Sequence, residues 1–257
     1  MDHIEHTIKD RVGIITLNRP EKRNALSFEL VSALKEAFTT FENDSRVKII
    51  ILSARGQAFC AGADLGYLQK LQGYSYEENL ADSNHLKELL LQIYTLKKLV
   101  VAQVQGHALA GGCGLASVCD FVFAVPEAKF GYTEVKIGFI PAIVMTFLLR
   151  KIGESRAKQL LLSGDLVPAE EAHRLGIVNK LVPAPNLEKE VMEFALRLSN
   201  ENSQEAMMVT KQMVAQVQSM PLSDALNYAS EMNAKARATE DCKKGIQAFL
   251  NKEKIVW

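Results

Sequence analysis

The sequence lacks the cysteine and histidine spacings that are typical of secreted disulfide-rich proteins and of structural zinc sites. It has 4 cysteines (Cys60, Cys113, Cys119 and Cys242), no two of which form a Cys-x-x-Cys pair, and its 5 histidines form no His-x-x-x-His pair. Secreted disulfide scaffolds and structural zinc sites depend on such spacings. We therefore expect reduced thiols and no metal site.

An excess of one charge and a long apolar run are also missing. The 30 Lys and Arg residues balance 30 Asp and Glu residues, so the basic surplus typical of nucleic-acid binding is absent. The N-terminus is acidic and polar, unlike a secretory signal. The longest apolar stretch, Ile137 to Leu149, has 13 residues, whereas a membrane span needs about 20. These absences predict a cytoplasmic protein with no nucleic-acid or membrane partner.

The apolar content is sufficient for one large core. Hydrophobic residues make up 48% of the 257 residues, and a chain of this length buries most of its unfolded surface without disulfides. Strands are predicted over 14–17, 47–52, 100–104 and 121–125, with Ser27 beginning one helix and a long helix over 76–96. Beyond about residue 142 the patterns are mostly helical. This order predicts an α/β core followed by a helical C-terminal region.

Two loops place small residues where the backbone has to approach another group closely. One loop, 59–65, follows a predicted buried strand, and the other, 106–114, lies between strand 100–104 and a helical segment. Glycine at such a junction leaves helix N–H groups accessible, which suits an anion or a developing oxyanion. A close-packed turn without a ligand explains either loop equally well when it is considered alone.

The spacing of other motifs argues against nucleotide and serine-hydrolase sites. Residues 112–117 begin like Gly-x-Gly-x-x-Gly but lack the third glycine. Glu134 lies 20 residues beyond Gly114, where a ribose-binding acid would be expected, so a dinucleotide site stays open as a minor alternative. No P-loop and no Gly-x-Ser-x-Gly motif occurs in the sequence.

Several motifs in a fixed order carry a resemblance to a known family. They are LNRPEKRNAL at 17–26, FCAGADL at 59–65, GHALAGGC at 106–113, AKFGYTE at 128–134, EAHRLGIV at 171–178 and EDCKKGIQAFL at 240–250. Over essentially its whole length the chain resembles the crotonase superfamily of enoyl-CoA hydratases and isomerases. The resemblance implies an α/β ClpP-like fold, with a superhelical core of repeated ββα units over 1–195 and a helical trimerisation region over 196–257.

The resemblance implies an oxyanion hole made of two backbone amides, those of Ala63 and Gly111. They would hold the thioester oxygen of an acyl-CoA and stabilise the enolate formed there. Small residues allow both amides to approach the substrate, and losing one such donor costs about 3–4 kcal/mol of transition-state stabilisation. Asp64 is interpreted as a loop-fixing residue, because a carboxylate readily accepts backbone N–H bonds.

The acid/base residues differ from those of a simple hydratase. Hydratases that the chain resembles use two glutamates to position water; the first position is Gly114 here, and the second is Glu134. One carboxylate can move a proton between two carbons, which favours a double-bond shift in an enoyl-CoA. Hydration of a 2-enoyl-CoA is the alternative, and a non-catalytic acyl-CoA-binding protein is a further one. Phe130 and Ile137 predict a partly apolar pocket that raises the pKa of Glu134.

The remaining substrate contacts also follow from the resemblance. Lys22 and Arg23 would meet the pantetheine and adenine parts of CoA, and Phe249 and Lys252 would approach the CoA of a neighbouring subunit. Tyr67 is a candidate for the acyl pocket wall. Five further substrate-binding residues are expected beside it: Ala61, Asp64, Leu65, Gly112 and Tyr132.

Partners and cofactors are expected to be few. CoA is part of the substrate, so no separate cofactor is predicted. The resemblance implies a homotrimer or a dimer of trimers whose contacts come from the helical C-terminal region. His107 is interpreted as a hydrogen-bonded core histidine, since related sequences hold Tyr or His at its position.

Overall fold

The computed structural model describes residues 3–257, apart from the side chain of Leu65. Its strands are β1 (Ile4–Lys9), β2 (Val12–Leu17), β3 (Ile49–Ala54), β4 (Ala58–Cys60), β5 (Leu99–Val104), β6 (His107–Leu109), β7 (Phe121–Ala124), β8 (Lys129–Gly131), β9 (Val167–Pro168) and β10 (Lys180–Leu181). Its α-helices are α1 (Phe28–Asn43), α2 (Leu65–Leu71), α3 (Tyr76–Thr95), α4 (Gly111–Ser117), α5 (Ala142–Ile152), α6 (Glu154–Ser163), α7 (Ala169–Leu175), α8 (Leu187–Glu201), α9 (Gln204–Val217), α10 (Leu222–Ala238) and α11 (Glu240–Asn251).

The strands form two sheets through which the chain passes repeatedly. The larger sheet has the order β1-β2-β3-β5-β7-β10, and the smaller has the order β4-β6-β8-β9. Strands β2, β3, β5, β7 and β10 run parallel, as do β4, β6 and β8, while β1 and β9 are antiparallel to their neighbours. The successive pairs β3/β4, β5/β6 and β7/β8 each contribute one strand to each sheet, which confirms the predicted spiral α/β core.

The central strands are apolar because both faces of the larger sheet are covered. Residues 49–52 of β3 are all buried, as expected for a parallel strand between layers of helices. Helix α1 begins where predicted, since the Ser27 hydroxyl accepts a hydrogen bond from the Leu30 amide at 3.3 Å. Its buried stripe, which includes Leu34 and Phe38, packs into the same core.

Sequence patterns missed several strands. The two- and three-residue strands of the smaller sheet were not predicted, because so few residues carry no measurable period. Strand β1 was not predicted either, because its six residues are mostly polar and do not alternate strictly between apolar and polar. The predicted boundary between 195 and 196 falls inside α8, whose residues Val191, Ala195 and Leu198 are buried against the larger sheet. The region that extends from the core therefore begins after α8.

A buried lysine joins that extending region to the core. The Lys211 ammonium on α9 donates to the carbonyl oxygens of Ile93 (2.9 Å) and Lys98 (3.0 Å) and to the Asp120 carboxylate (2.8 Å). The Lys211 side chain is only 5% exposed. By contrast, α10 and α11 bury no residue in this chain.

None of the helices between residues 3 and 257 has the length and apolar character that crossing a membrane requires.

The first prediction concerns this buried ion pair. Lys211→Met should lower the free energy of unfolding by about 3–5 kcal/mol, because it leaves the Asp120 carboxylate buried without its cation. The exposed Lys235, 3.9 Å from Glu231 on α10, provides the control, since Lys235→Met should cost less than about 1 kcal/mol. Urea unfolding measures both values. Equal stability of Lys211→Met and the unsubstituted protein would contradict this account.

Candidate active site

The two glycine-containing loops leave neighbouring strands of the smaller sheet. Strands β4 and β6 run parallel, with Ala58 opposite His107 and Cys60 opposite Ala108. Both loops therefore begin at the same edge. At Gly112 the two loops are so close that a Cβ would lie 2.2 Å from the Cys60 carbonyl oxygen. Only glycine allows this approach, and it holds the first turn of α4 against the first loop.

The amide of Ala63 lies in a segment that is fixed on both sides. Leu26 N donates to Gly62 O at 2.7 Å, and Asp64 N donates to Leu26 O at 2.9 Å, so residue 63 is bridged to the chain just before α1. Ala63 itself is exposed, and its N–H donates to no acceptor among the residues that the structure describes. It is available to an external oxygen.

The amide of Gly111 follows a strained residue. Ala110 has φ +50° and ψ −125°, a conformation that costs a residue with a Cβ roughly 1–3 kcal/mol. It is held there by a hydrogen bond of 2.7 Å from its own N–H to Gly131 O. Gly111 is the first residue of α4, so its N–H has no helical partner. The two predicted oxyanion amides are thus both unbonded within residues 3–257 and lie on adjoining loops.

Asp64 fixes the first loop, as its residue type suggested. Its carboxylate accepts hydrogen bonds from Gly66 N (2.9 Å) and Tyr67 N (3.2 Å) and caps α2. It also pairs with Arg19 at 3.2 Å, and both side chains are about 15% exposed or less. Burial alone would raise the pKa of Asp64, but the two backbone donors and the Arg19 guanidinium lower it overall.

Glu134 reaches the site from the third parallel strand of the smaller sheet. Strand β8 pairs with β6, with Leu109 opposite Gly131, and Glu134 begins a 3₁₀ turn three residues later. Its Oε2 atom is buried and has no hydrogen-bond partner among the described residues. Burial therefore raises the pKa of Glu134 above its usual range, against a smaller opposing effect of a backbone N–H. The pKa of Glu134 is thus raised, as the sequence predicted. Ile137, however, is exposed and does not help to enclose the carboxylate.

The position three residues after Gly111 holds an apolar contact and no acid. A Cβ on Gly114 would lie 2.2 Å from Cγ1 of Val144, which is buried on α5. The space on this side of α4 is therefore occupied by a hydrocarbon side chain. Sequence reasoning identified Gly114 but missed the contacts of Val144 and Arg19, because each is made with a residue at least 30 positions away along the chain.

Two predictions about side chains need correction. The Tyr132 ring is completely buried, and its hydroxyl lies 3.1 Å from Ser117 Oγ, so it supports β8 from the core and presents no surface to a pocket. His107 is exposed, and its Nδ1 accepts a hydrogen bond of 3.2 Å from Lys129 N. It is hydrogen-bonded as predicted, but it is not a core residue.

Tyr67 is partly buried on α2, and its hydroxyl donates to the Asp82 carboxylate of α3 in a short hydrogen bond. Burial and this neighbouring carboxylate raise its pKa. The hydroxyl is thus engaged between two helices that follow the first loop.

The predicted CoA contacts fall into two groups. Lys22 and Arg23 are exposed, and the Arg23 carbonyl accepts a hydrogen bond of 3.0 Å from Ala61 N, so they lie beside the first loop. Phe249, 82% exposed, and Lys252 lie on α11 and at its end, with no contact to the two loops within this chain. Leu65 has a side chain outside the described residues. No cluster of three or more His, Cys, Asp or Glu side chains that could hold a metal ion occurs between residues 3 and 257.

Comparison with known proteins gives consistent results. The family model described as enoyl-CoA hydratase/isomerase matches residues 7–257. A provisionally named enoyl-CoA hydratase of Thermus thermophilus is 42% identical over 244 residues, which are 95% of this chain and 96% of that protein. The crotonyl-CoA hydratase of Syntrophomonas wolfei is 35% identical over 248 residues, 96% and 94% of the two chains. The crystal structure of an enoyl-CoA hydratase from Bacillus anthracis superposes with a TM-score of 0.91 at 30% identity, covering 99% of this chain and 98% of that one.

The second prediction separates the mostly buried Asp64–Arg19 pair from an exposed pair with the same N–O distance. Asp64→Ala should lower the free energy of unfolding by about 2–3 kcal/mol, because a helix cap and a mostly buried ion pair are both lost. Asp165 pairs with Lys136 at the same 3.2 Å but is 69% exposed, so Asp165→Ala should cost less than about 1 kcal/mol.

At acid pH, Asp64→Ala should lower the free energy of unfolding by less than it does at pH 7. Since the pKa of Asp64 is lowered in the folded protein, its contribution is present above the unfolded-state pKa and is lost as pH falls through the folded-state pKa. Urea unfolding at pH 7 and at pH 3 measures the effect. Equal losses for the two alanine variants at pH 7 would contradict the role assigned to Asp64.

Proposed function

The chain belongs to the enoyl-CoA hydratase/isomerase family of acyl-CoA enzymes, and from that premise we propose that it moves the double bond of an enoyl-CoA thioester. The amides of Ala63 and Gly111 hold the thioester oxygen, and Glu134 carries the proton. This assignment rests on one observation above all: the buried Oε2 of Glu134 has no partner, and the neighbouring position that could supply a second carboxylate is glycine.

The proposed reaction needs one base and one anion site. The Glu134 carboxylate removes a proton from C2 of a 3-enoyl-CoA, and the electron pair moves into the thioester to give an enolate. Both amides donate to the enolate oxygen, whose negative charge is greater than that of the ground-state carbonyl, so they stabilise the transition state preferentially. Glu134 then returns the proton to C4, which leaves a 2-enoyl-CoA. No atom is gained or lost.

Hydration is the second candidate, and the names of the relatives favour it. The proteins of Thermus thermophilus and Syntrophomonas wolfei are both named as hydratases. In that reaction the single carboxylate would orient a water, take its proton as oxygen adds to C3 and supply a proton to C2. The same oxyanion amides would serve, so the two candidates differ in the substrate and in whether water reaches C3 of a 2-enoyl-CoA.

Supporting contacts are assigned on the same premise. Lys22 and Arg23 lie beside the first loop, and we assign them to the pantetheine and adenine parts of CoA. Ala61, within that loop, is assigned to the substrate site. The proposed proton transfers use groups of the chain and of the substrate, so we assign no cofactor apart from the CoA of the substrate. We retain the cytoplasm as the proposed location, while noting that a relative from Dictyostelium discoideum is named as mitochondrial.

The third prediction tests Glu134 directly. Purified protein should convert a 3-enoyl-CoA into the 2-enoyl isomer, followed by the absorbance of the conjugated thioester, and Glu134→Gln should reduce kcat by about 10²–10⁴-fold. Rapid hydration of a 2-enoyl-CoA with no shift of a 3-enoyl-CoA would replace the first candidate by the second. Full turnover by Glu134→Gln would contradict both.

The pKa of Glu134 supplies a control for folding and a pH profile. Because burial raises it, kcat/KM should rise with pH through a value above the ordinary 4.5 of a glutamate. A raised folded-state pKa means that the folded protein loses stability as pH increases through the unfolded-state and then the folded-state value. Glu134→Gln should therefore unfold at the same or a higher temperature than the unsubstituted protein at pH 7.5.

We assign the apolar face of α10 and α11 to contacts between subunits, in a homotrimer or a dimer of trimers. Large apolar side chains on these helices are more than half exposed: Leu222, Leu226, Ile246, Phe249 and Leu250. Exposed apolar patches of this kind typically mark association surfaces. Phe249 and Lys252 would then lie near the CoA of another subunit.

The fourth prediction tests this assembly. Leu226→Glu should shift the protein to a species of lower mass in sedimentation velocity, because a charge would be buried in the contact. Asn227→Glu adds the same charge at the next, exposed position of α10 and should leave the mass unchanged. A monomeric unsubstituted protein would contradict the assignment.

A further inference from the structure

Val144 fills a space that has a defined position relative to the proposed chemistry. A Cβ on Gly114 would lie 2.2 Å from Val144 Cγ1 and 2.9 Å from Val144 Cβ, but 3.9 Å from its Cα. These contacts are with the side chain of Val144 and not with its backbone. Any side chain at position 114 therefore competes with the isopropyl group of Val144 for the same volume.

Neither helix can easily yield this volume. Gly114 N donates to Ala110 O at 3.1 Å, and Val118 N donates to Gly114 O at 3.0 Å, so the glycine lies within an intact α4. Val144 is 4% exposed on α5, and Leu148, one turn further along the same helix, is fully buried. The contact between Gly114 and Val144 is therefore a fixed part of the core.

The filled volume adjoins the acid/base residue. Gly111, one of the proposed oxyanion donors, lies one turn before Gly114 on the same helix. The N–H of Ala110, which precedes Gly111, donates to Gly131 O at 2.7 Å, so the start of α4 is tied to β8 three residues before Glu134. Gly114 and Val144 thus place apolar groups beside the proposed enolate site.

We propose that Val144 is a specificity-determining residue, which excludes water from the side of the enolate site formed by α4 and so keeps the 2-enoyl-CoA product from being hydrated. This inference rests on the proposed function. Water addition places a hydroxyl on C3 and a proton on C2, so it requires an ordered water with polar partners. A valine side chain offers neither a donor nor an acceptor, and its methyl groups occupy the position that a second acidic side chain would need. Glu134 is then the sole proton carrier.

The steric part of the inference is tested by a double-variant cycle on stability. Gly114→Ala should lower the unfolding midpoint by about 5 °C through overpacking. Val144→Gly removes the opposing side chain at a cost of its own. In the combined Gly114→Ala/Val144→Gly variant the cost of the added methyl should largely disappear. An equal cost of Gly114→Ala in both backgrounds would overturn the steric part.

The functional part is tested by the products formed from enoyl-CoA. With a 3-enoyl-CoA as substrate, Val144→Ala should raise the ratio of 3-hydroxyacyl-CoA to 2-enoyl-CoA about tenfold relative to the unsubstituted protein, because the vacated volume admits a water that the unpartnered Oε2 of Glu134 can bind. Ile152→Ala is the control. It truncates a buried side chain two turns further along α5, where the residue approaches Gly176 and not the site, and it should leave the ratio unchanged.

The outcomes distinguish the inference from the function on which it rests. Turnover with the same product ratio in Val144→Ala and in the unsubstituted protein would overturn the role of Val144 and leave the proposed enzyme intact. A changed ratio in Ile152→Ala as well would assign the effect to general loosening of α5 and would also overturn it. No turnover of either substrate by the unsubstituted protein would contradict the proposed function itself, and the role of Val144 would fall with it.

Discussion

The parallel pairing of β4 with β6 is the constraint on which the site depends. It brings the ends of two strands to one edge, and the missing side chain of Gly112 lets α4 begin against the carbonyl of Cys60. The neighbouring contacts fix the amides of residues 63 and 111 in position and leave them without a hydrogen-bond acceptor among the described residues. Leu26 and Asp64 restrain one amide, and the strained Ala110 precedes the other. Because backbone groups form the proposed anion site, its geometry is set by the fold and not by side-chain rotamers.

At the proposed anion site the contacts of the fold serve both stability and function, whereas at Glu134 a feature proposed for function reduces stability. A buried carboxylate oxygen without a partner destabilises the folded state, and a fold selected only for stability would supply a donor to it. The raised pKa that results is useful for a group that has to accept and release a proton near neutral pH. The rest of the site is heavily hydrogen-bonded, as the three donors on Asp64 illustrate. Glu134 Oε2 is therefore one of the few buried side-chain atoms among the described residues without a partner, and it belongs to the residue to which we assign the proton transfer.

Much of the fold could be predicted from sequence, because the main elements are long enough to show a period. The apolar strands β3 and β5, the Ser27 cap and the 20-residue α3 all carry local signals. The short strands of the smaller sheet do not, although they position the site, because their pairing is decided by distant parts of the chain. For the same reason, burial of Tyr132 and exposure of His107 could not be inferred from their neighbours. The proposed oxyanion residues follow from the resemblance, whereas the loops alone are explained equally well by a structural turn.

The absence of an acid at position 114 acquires its physical meaning only from the tertiary contact. In the sequence, Gly114 stands where related hydratases have a glutamate, and a loss of catalytic activity is one explanation for the difference. In the structure it is one half of a packed pair, since Val144 occupies the volume that a side chain would need. Any side chain introduced at Gly114 would clash with Val144. Which acid/base residues the proposed site can hold is therefore determined partly by a hydrocarbon side chain on a different helix, 30 residues away along the chain. Reaction type within a shared fold can therefore depend on packing residues that never exchange a proton, and family membership alone does not determine it.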